Sequence, residues 1–550
     1  MDDYEISKNA KLQPIEKIAE RFNLPLESLT FYGKYIAKVD HRLLKSIDRT
    51  KGQLIFVSAM TPTPYGEGKT TTTIGLTDAL NLIGYKAIGV LRQPSLGPIF
   101  GVKGGATGGG FAQVAPMEDI NFLFTGDFPA VEYANNLLSA LIDNSLHQGN
   151  PLNLDPKRIK FSRVMDMNDR ALRNIIVGLG DVGNGVIRED HFNITTASEI
   201  MAILGLSFDI EELKKRLSNI FVGFTYDRKP VFARDLKGVG AMAVILRNAI
   251  NPNLVQTLEN NPVFVHTGPF ANIAHGSPSV ISISLAQQFA DYVVVEGGFG
   301  TDLGGEKFMD IVSRIGNFEV SLVVIVASIR ALKHHGGQKL GDESENLEAI
   351  RKGFENLKKH IENIQRFGLN VVVAINKFYK DTEKEINLLK SLLDEAGVKF
   401  ALSEVYEKGG VGGEELAKIA AETSSPKKPM FLYELNEPVK EKIYKIATTM
   451  YGASSVVYND EAEKDLKDIS KINLDNAFIC IAKTQLSLTD NPKIIGRKEN
   501  FLVTVNEVRA LAGANFIVPV LGSINTMPGL PKEPIANRLD IDNDGVISGF

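Results

Sequence analysis

"LIFVSAMTPTPYGEGKTTTTIGL", residues Leu54–Leu76, decides the fold. An apolar run, Leu54–Val57, leads into a loop bearing Gly66 and Gly68, then Lys69-Thr70, then a stretch of helical character. Strand, glycine-bearing loop and helix in that order make a phosphate cradle. Backbone N–H groups wrap the polyphosphate, and the helix N-terminus adds its dipole. In such a cradle Lys69 reaches the β- and γ-phosphates and the Thr70 hydroxyl ligates Mg²⁺. The expected ATP-binding loop is therefore Thr63, Pro64, Tyr65, Gly66, Glu67, Gly68, Lys69 and Thr70, with Thr63 where the strict motif has glycine.

Further apolar, β-branched runs lie to either side: Ala87–Leu91, Ile175–Val177, Val263–His266, Tyr292–Glu296, Leu322–Ala327 and Val371–Ile375. Each precedes a Gly-, Pro- or polar-rich loop, and helical stretches separate them. The alternation predicts an α/β fold, P-loop NTPase-like and doubly wound around a mainly parallel sheet. Ligands of such sheets bind beyond the C-terminal strand ends. The expected division is a large nucleotide-binding domain over residues 1–360, a second α/β domain over 361–457 and a small C-terminal domain over 458–550. The charged stretch Tyr458–Asn473 opens the last, and Glu422–Pro429 is read as a linker or exposed loop.

The 550 residues suit about three or four domains at roughly 150 residues each. A hydrophobic share of 44% with 23% charged residues is that of a soluble globular chain. The net charge is −5 with both signs interspersed, which argues against nucleic acid or a membrane as partner. Cys480 is the only cysteine, so neither an intramolecular disulfide nor a cysteine-cluster metal site can form. The charged start lacks an apolar signal core, and a cytoplasmic location is expected.

Three segments at expected strand ends carry candidate chemistry. Leu91–Gly110 holds Arg92 and Lys103 in a glycine-rich loop, and an Arg beside a phosphate-binding Lys can grip a carboxylate or acyl phosphate. His266–Ser279, with His266 and His275, reads as a phosphate- or substrate-lining loop rather than a metal site. Val295–Phe308 places Glu296, Asp302 and Glu306 where an acid could serve Mg²⁺ or orient a nucleophile. Two motifs are rejected. Tyr379 occupies the Asp position of a guanine-selecting Asn-Lys-x-Asp, and the EF-hand-like Asp540, Asp542, Asp544 and Gly545 would need a Glu beyond Phe550.

"TPTPYGEGKTTT", "RQPSLGPIFGVKGG", "RVMDMNDRALRNIIVGLG", "PNLVQTLE", "HTGPFANIAHG", "GGFGTDLGGEKF", "RALKHHGG" and "TMPGLPKEPIANRLDID", in this order from Thr61 to Asp542, resemble the hallmark segments of formate–tetrahydrofolate ligases. The resemblance implies ligation of formate to tetrahydrofolate with ATP and Mg²⁺, giving 10-formyltetrahydrofolate, ADP and phosphate through formyl phosphate. It implies that Lys69 and Arg92 are catalytic, with Arg92 gripping formyl phosphate; Glu296 is a candidate Mg²⁺ ligand from its place at a strand end. It also implies that Phe378 and Tyr406 sandwich the pterin while Phe299 walls the pocket. A homo-oligomer, tetrameric as in relatives, is expected, with substrates formate and a possibly polyglutamylated tetrahydrofolate. Tyr406 stands where many relatives have Trp, and Phe124 and Pro129 where they usually have His. Gln93 stands where some bacterial members have a Glu associated with activation by potassium or ammonium, which leaves such activation of this chain an open question. The competing reading is a ParA/MinD-like ATPase switch, whose hydrolysis would ignore formate and folate.

Overall fold

The structure is a computed structural model that describes residues 2–46, 52–103, 106–474 and 476–549, without the side chain of Lys103. Seven parallel strands form its centre: β1 (Gln53–Ala59), β2 (Ala87–Leu91), β3 (Pro262–Val265), β4 (Tyr292–Glu296), β5 (Leu322–Ala327), β6 (Val371–Asn376) and β7 (Lys399–Ser403). Their spatial order is β3-β2-β4-β1-β5-β6-β7. Antiparallel strands Asn253–Thr257, Ala37–Val39 and Leu29–Phe31 extend the β3 edge. Helices cover both faces, which is why β1 to β6 read as nearly unbroken apolar runs instead of alternating ones. Each fully buried Val, Ile or Leu contributes roughly 1.5–3 kcal/mol.

Six of the seven apolar runs form central strands, and the seventh does not. Ile175–Val177 pairs with Arg188–Asp190 in a two-stranded hairpin, and Ile176 is 56% exposed. Three residues opposite a charged strand bury too little to enter a core. The hairpin is fastened instead by Arg163 and Arg188 on Asp143 and Asp190.

The boundary expected at residue 360 falls inside the helix Leu347–Arg366, and β6 and β7 continue the large sheet beyond it. The sheet therefore does not end where the first domain was expected to. Residues 455–521 build a separate four-stranded sheet around the hairpin Leu502–Leu511/Phe516–Leu521. Glu422–Pro429 is tied to the large sheet through backbone bonds between Val320 and Lys427. No helix among the described residues is long and apolar enough to cross a membrane.

Candidate active site

β1 ends at Ala59, and after the loop Met60–Gly68 a helix, α1 (Lys69–Leu82), begins. Four consecutive threonines are poor helix formers, so packing must hold α1 in place. A Cβ on its Gly75 would strike Val405, so only glycine allows the approach. Gly68 sits at φ +79°, and a Cβ there would strike the Asn376 amide. No side chain caps α1, which leaves its first-turn N–H groups able to bind an anion.

Register brings the charged residues together. β4 lies between β1 and β2, with Glu296 opposite Val57 and Val295 opposite Val90. Glu296 therefore emerges between the Thr63–Thr70 loop and Arg92. The Thr70 hydroxyl donates to its Oε2, and Arg92 Nε donates to its Oε1 at 2.8 Å. Burial alone would raise the Glu296 pKa. Arg92, the Thr70 hydrogen bond and the Lys69 charge outweigh burial and hold it below the usual carboxylate range. Arg92 Nη1 also donates to Pro269 O at 3.4 Å. Among the described residues, two of the five guanidinium N–H donors are thus engaged.

Within the loop, Pro64, Tyr65 and Gly66 are exposed, whereas Glu67 is buried and turned inward. Its Oε1 accepts from Thr63 N at 2.6 Å and from Thr63 Oγ1 at 2.8 Å, and its Oε2 accepts from Ser328. Asn376 Nδ2 holds the Glu67 carbonyl at 3.0 Å, and Arg330 Nη2 holds that of Gly66 at 2.5 Å. Glu67 shapes the loop from beneath. Below it, Thr61 Oγ1 bonds His360 Nε2 and Asn356 Nδ2, each at 2.9 Å, and Thr61 O bonds His335 Nε2 at 2.9 Å. Burial lowers the His360 pKa to about 4 and that of His335 to about 3, so both are neutral props.

Of the three acids expected after β4, only Glu296 meets the loop. Asp302 is buried in an ion pair with Lys483 of the small sheet's segment, at 3.1 Å. Glu306 is buried beside Asp310, and burial pushes its pKa far up. Residues Thr301–Gly305 and Phe308–Val312 wind as wide helical turns that carry both acids into the interior. His266 bonds Ser279 Oγ at 2.6 Å and Ala249 O at 2.7 Å, so it props its segment instead of lining a substrate site. Gln93 is buried, and its backbone N donates to Thr267 O at 2.6 Å. Phe124 has φ +45°, and Pro129 lies in the helix Asp127–His147. The Lys103 side chain lies outside the described residues. Asp542 caps its own turn through Asp544 N and Val546 N in the EF-hand-like segment.

A family model described as formate–tetrahydrofolate ligase matches residues 1–550, the whole chain. The chain belongs to the formate–tetrahydrofolate ligase family. Its reaction class is that of the family, ATP-dependent ligation of formate to tetrahydrofolate. In this ligase the "RVMDMNDRALRN" segment pins the loop that follows Arg92. Asp166 accepts from Ser95 Oγ at 2.6 Å and Leu96 N at 3.0 Å, and Arg173 Nε donates to Met527 O at 2.9 Å.

The three aromatics expected on the folate occupy different surroundings. Phe378 lines a cleft of about 310 Å³ beside the phosphate loop with Tyr65, Arg330, Lys333 and His334. The Arg330 guanidinium lies 4.6 Å from the Phe378 ring centroid and 5.3 Å from that of Tyr65, a cation between two aromatic faces. Tyr406 is not part of that lining; its ring lies against Gly109 and Gly110 and is 46% exposed. Phe299 is half-buried just past β4, with φ +56°.

The sequence reading assigned no role to Arg330, Ser328, Asn376 or Asp3. "RALKHHGG" contained the signal for Arg330, since the resemblance already singled it out. Ser328 and Asn376 stand at the ends of β5 and β6, a place known only once strand order is known. Asp3 acts across 403 residues of sequence and left no signal.

Proposed function

We propose that this ligase phosphorylates formate with ATP and passes the formyl group of formyl phosphate to tetrahydrofolate, giving 10-formyltetrahydrofolate. The observation that carries the reading is the Thr70–Glu296–Arg92 chain, which joins the phosphate loop to a partly engaged guanidinium across adjacent strand ends. Formate is a poor electrophile because its charge is spread over two oxygens. Bringing it to a γ-phosphate sets anion against anion, so the site must concentrate positive charge. One cation about 4 Å from an anion is worth on the order of 4 kcal/mol at an effective dielectric near 20. Lys69 neutralises the phosphates, and the remaining Arg92 donors hold the formate carboxylate and then the acyl phosphate.

Thr70 and Glu296 are hard oxygen donors, a set that suits Mg²⁺, and they would hold the ion that arrives with ATP. Bound there, Mg²⁺ supplies further charge neutralisation. Phe378, Tyr406 and Phe299 offer the apolar surface a pterin needs. Such a surface also keeps water from the mixed anhydride.

The test is ADP release with Mg²⁺ while formate and tetrahydrofolate are omitted singly and together. Release that needs both, matched by 10-formyltetrahydrofolate, is the expected result. Release indifferent to both overturns the proposal.

A further inference from the structure

Tyr406 is held by contacts that bear on the use of its ring. Its hydroxyl donates to Asp3 Oδ1 at 2.8 Å, and the same oxygen accepts from Gly110 N at 2.9 Å. The Asp3 carbonyl accepts from Gln113 Nε2 at 2.8 Å. Phe111 N donates to the Tyr406 carbonyl at 2.8 Å. A Cβ on Gly109 would lie 2.9 Å from Tyr406 Cε2, and one on Gly110 2.9 Å from Cγ, so two glycines let backbone lie against the ring. One carboxylate thus ties three distant pieces together: the helix Asp3–Lys8, the glycine loop and the aromatic.

The ring is half-exposed although its hydroxyl is anchored. A tyrosine with a satisfied hydroxyl and a bare ring surface is a platform whose orientation is set from its tip. Burial first, then the hydrogen bond and charge of Asp3, push its pKa up to about 12, so the hydroxyl remains a donor. An indole at this position could not reproduce a phenolic donor at the ring tip. The anchor therefore belongs to the tyrosine.

We propose that Asp3 is a positioning residue for tetrahydrofolate, fixing the tilt of the Tyr406 ring against which the pterin stacks. The inference rests on the proposed folate role of Tyr406 and adds the residue that orients it. Fixing the ring before binding lowers the ordering cost of the complex, so the effect falls on affinity for the pterin.

The experiment is steady-state kinetics with each substrate varied, together with melting temperature, on Asp3→Ala, Asp3→Asn, Tyr406→Phe, Asp3→Ala/Tyr406→Phe and Tyr406→Ala. Asp3→Ala and Tyr406→Phe each raise KM for tetrahydrofolate by about three- to ten-fold, the range of one lost hydrogen bond. In both, kcat and KM for ATP and formate stay put. The double variant is no worse than Asp3→Ala, because Tyr406→Phe removes only the Asp3–Tyr406 bond that Asp3→Ala has already removed. Asp3→Asn, which keeps an acceptor oxygen, recovers most of the affinity. Asp3→Ala with unchanged KM for tetrahydrofolate, additive single effects, or a lower melting temperature with all KM values unchanged would overturn the inference. Tyr406→Ala separates the two levels. If it leaves KM for tetrahydrofolate unchanged, the folate role of Tyr406 fails and the inference with it; if it raises KM while Asp3→Ala does not, the positioning role alone fails.

Discussion

The two halves of the site are built on opposite plans. The phosphate half comes from the ends of adjacent strands: Lys69 and Thr70 after β1, Arg92 after β2 and Glu296 at the end of β4. Buried Glu296 is hydrogen-bonded to partly buried Thr70 and Arg92, with the Lys69 charge nearby. The aromatic half is set on the connections that leave two strands, Tyr406 on the short helix Val405–Lys408. Phe378, past β6, faces a cleft under Arg330, while Tyr406, past β7, is anchored by a helix from the other end of the chain. Strand register places charges precisely because a packed sheet cannot slide, and charge pays heavily for misplacement. Stacking tolerates looser placement, so tethers suffice.

The largest test of this contrast is Arg92→Ala. Formate-dependent turnover should fall about 10²–10³-fold, as for removal of one charge-stabilising donor in a closed site, while calorimetric ATP affinity is largely spared. Near-normal turnover would remove Arg92 from the chemistry and blur the contrast. Next is Glu67→Ala. If the inward carboxylate only shapes the loop, losing its bonds to Thr63 and Ser328 should weaken ATP about 10- to 100-fold and lower the melting temperature. Lost turnover at saturating ATP with an unchanged melting curve would instead put Glu67 at the nucleotide.

On the aromatic side, Phe378→Ala should raise KM for tetrahydrofolate about five- to ten-fold and leave the ATP terms alone. If KM for ATP moves instead, the cleft beside Tyr65 serves the nucleotide.

The last test lies at the seam. Asp78, on α1, is buried against the Gly409–Gly413 turn that follows Tyr406. Its Oδ1 accepts from Thr257 Oγ1 at 2.6 Å and Asn261 Nδ2 at 2.7 Å. Burial, then the Glu259 charge, push its pKa up to about 8. Between its unfolded value and about 8 the native state holds a proton that the unfolded state has released. Stability therefore declines as pH rises through that window and levels off above it. Asp78→Asn should remove this decline, gaining on the wild-type melting temperature from pH 5 to pH 8. Parallel curves would mean that Asp78 is ionised in the fold.

The parallel core was legible because each buried strand must be apolar along its length and each strand end needs a loop. Ile175–Val177 misled because composition does not report what a strand pairs with. Asp302 and Glu306 misled similarly, since spacing past a strand cannot tell an acid facing the cleft from one wound into the interior.

By itself the sequence determined the order of most central strands along the chain and the family, and it marked out the candidate phosphate loop, all properties of contiguous segments. Tertiary structure alone decided that Glu296 joins Thr70 to Arg92, that Glu67 turns inward, that the large sheet runs past residue 360, and that Asp3 holds Tyr406. The reason is physical. Local segments encode their own backbone preferences, whereas which strand ends become neighbours is set by packing the whole sheet, and no short stretch carries that information.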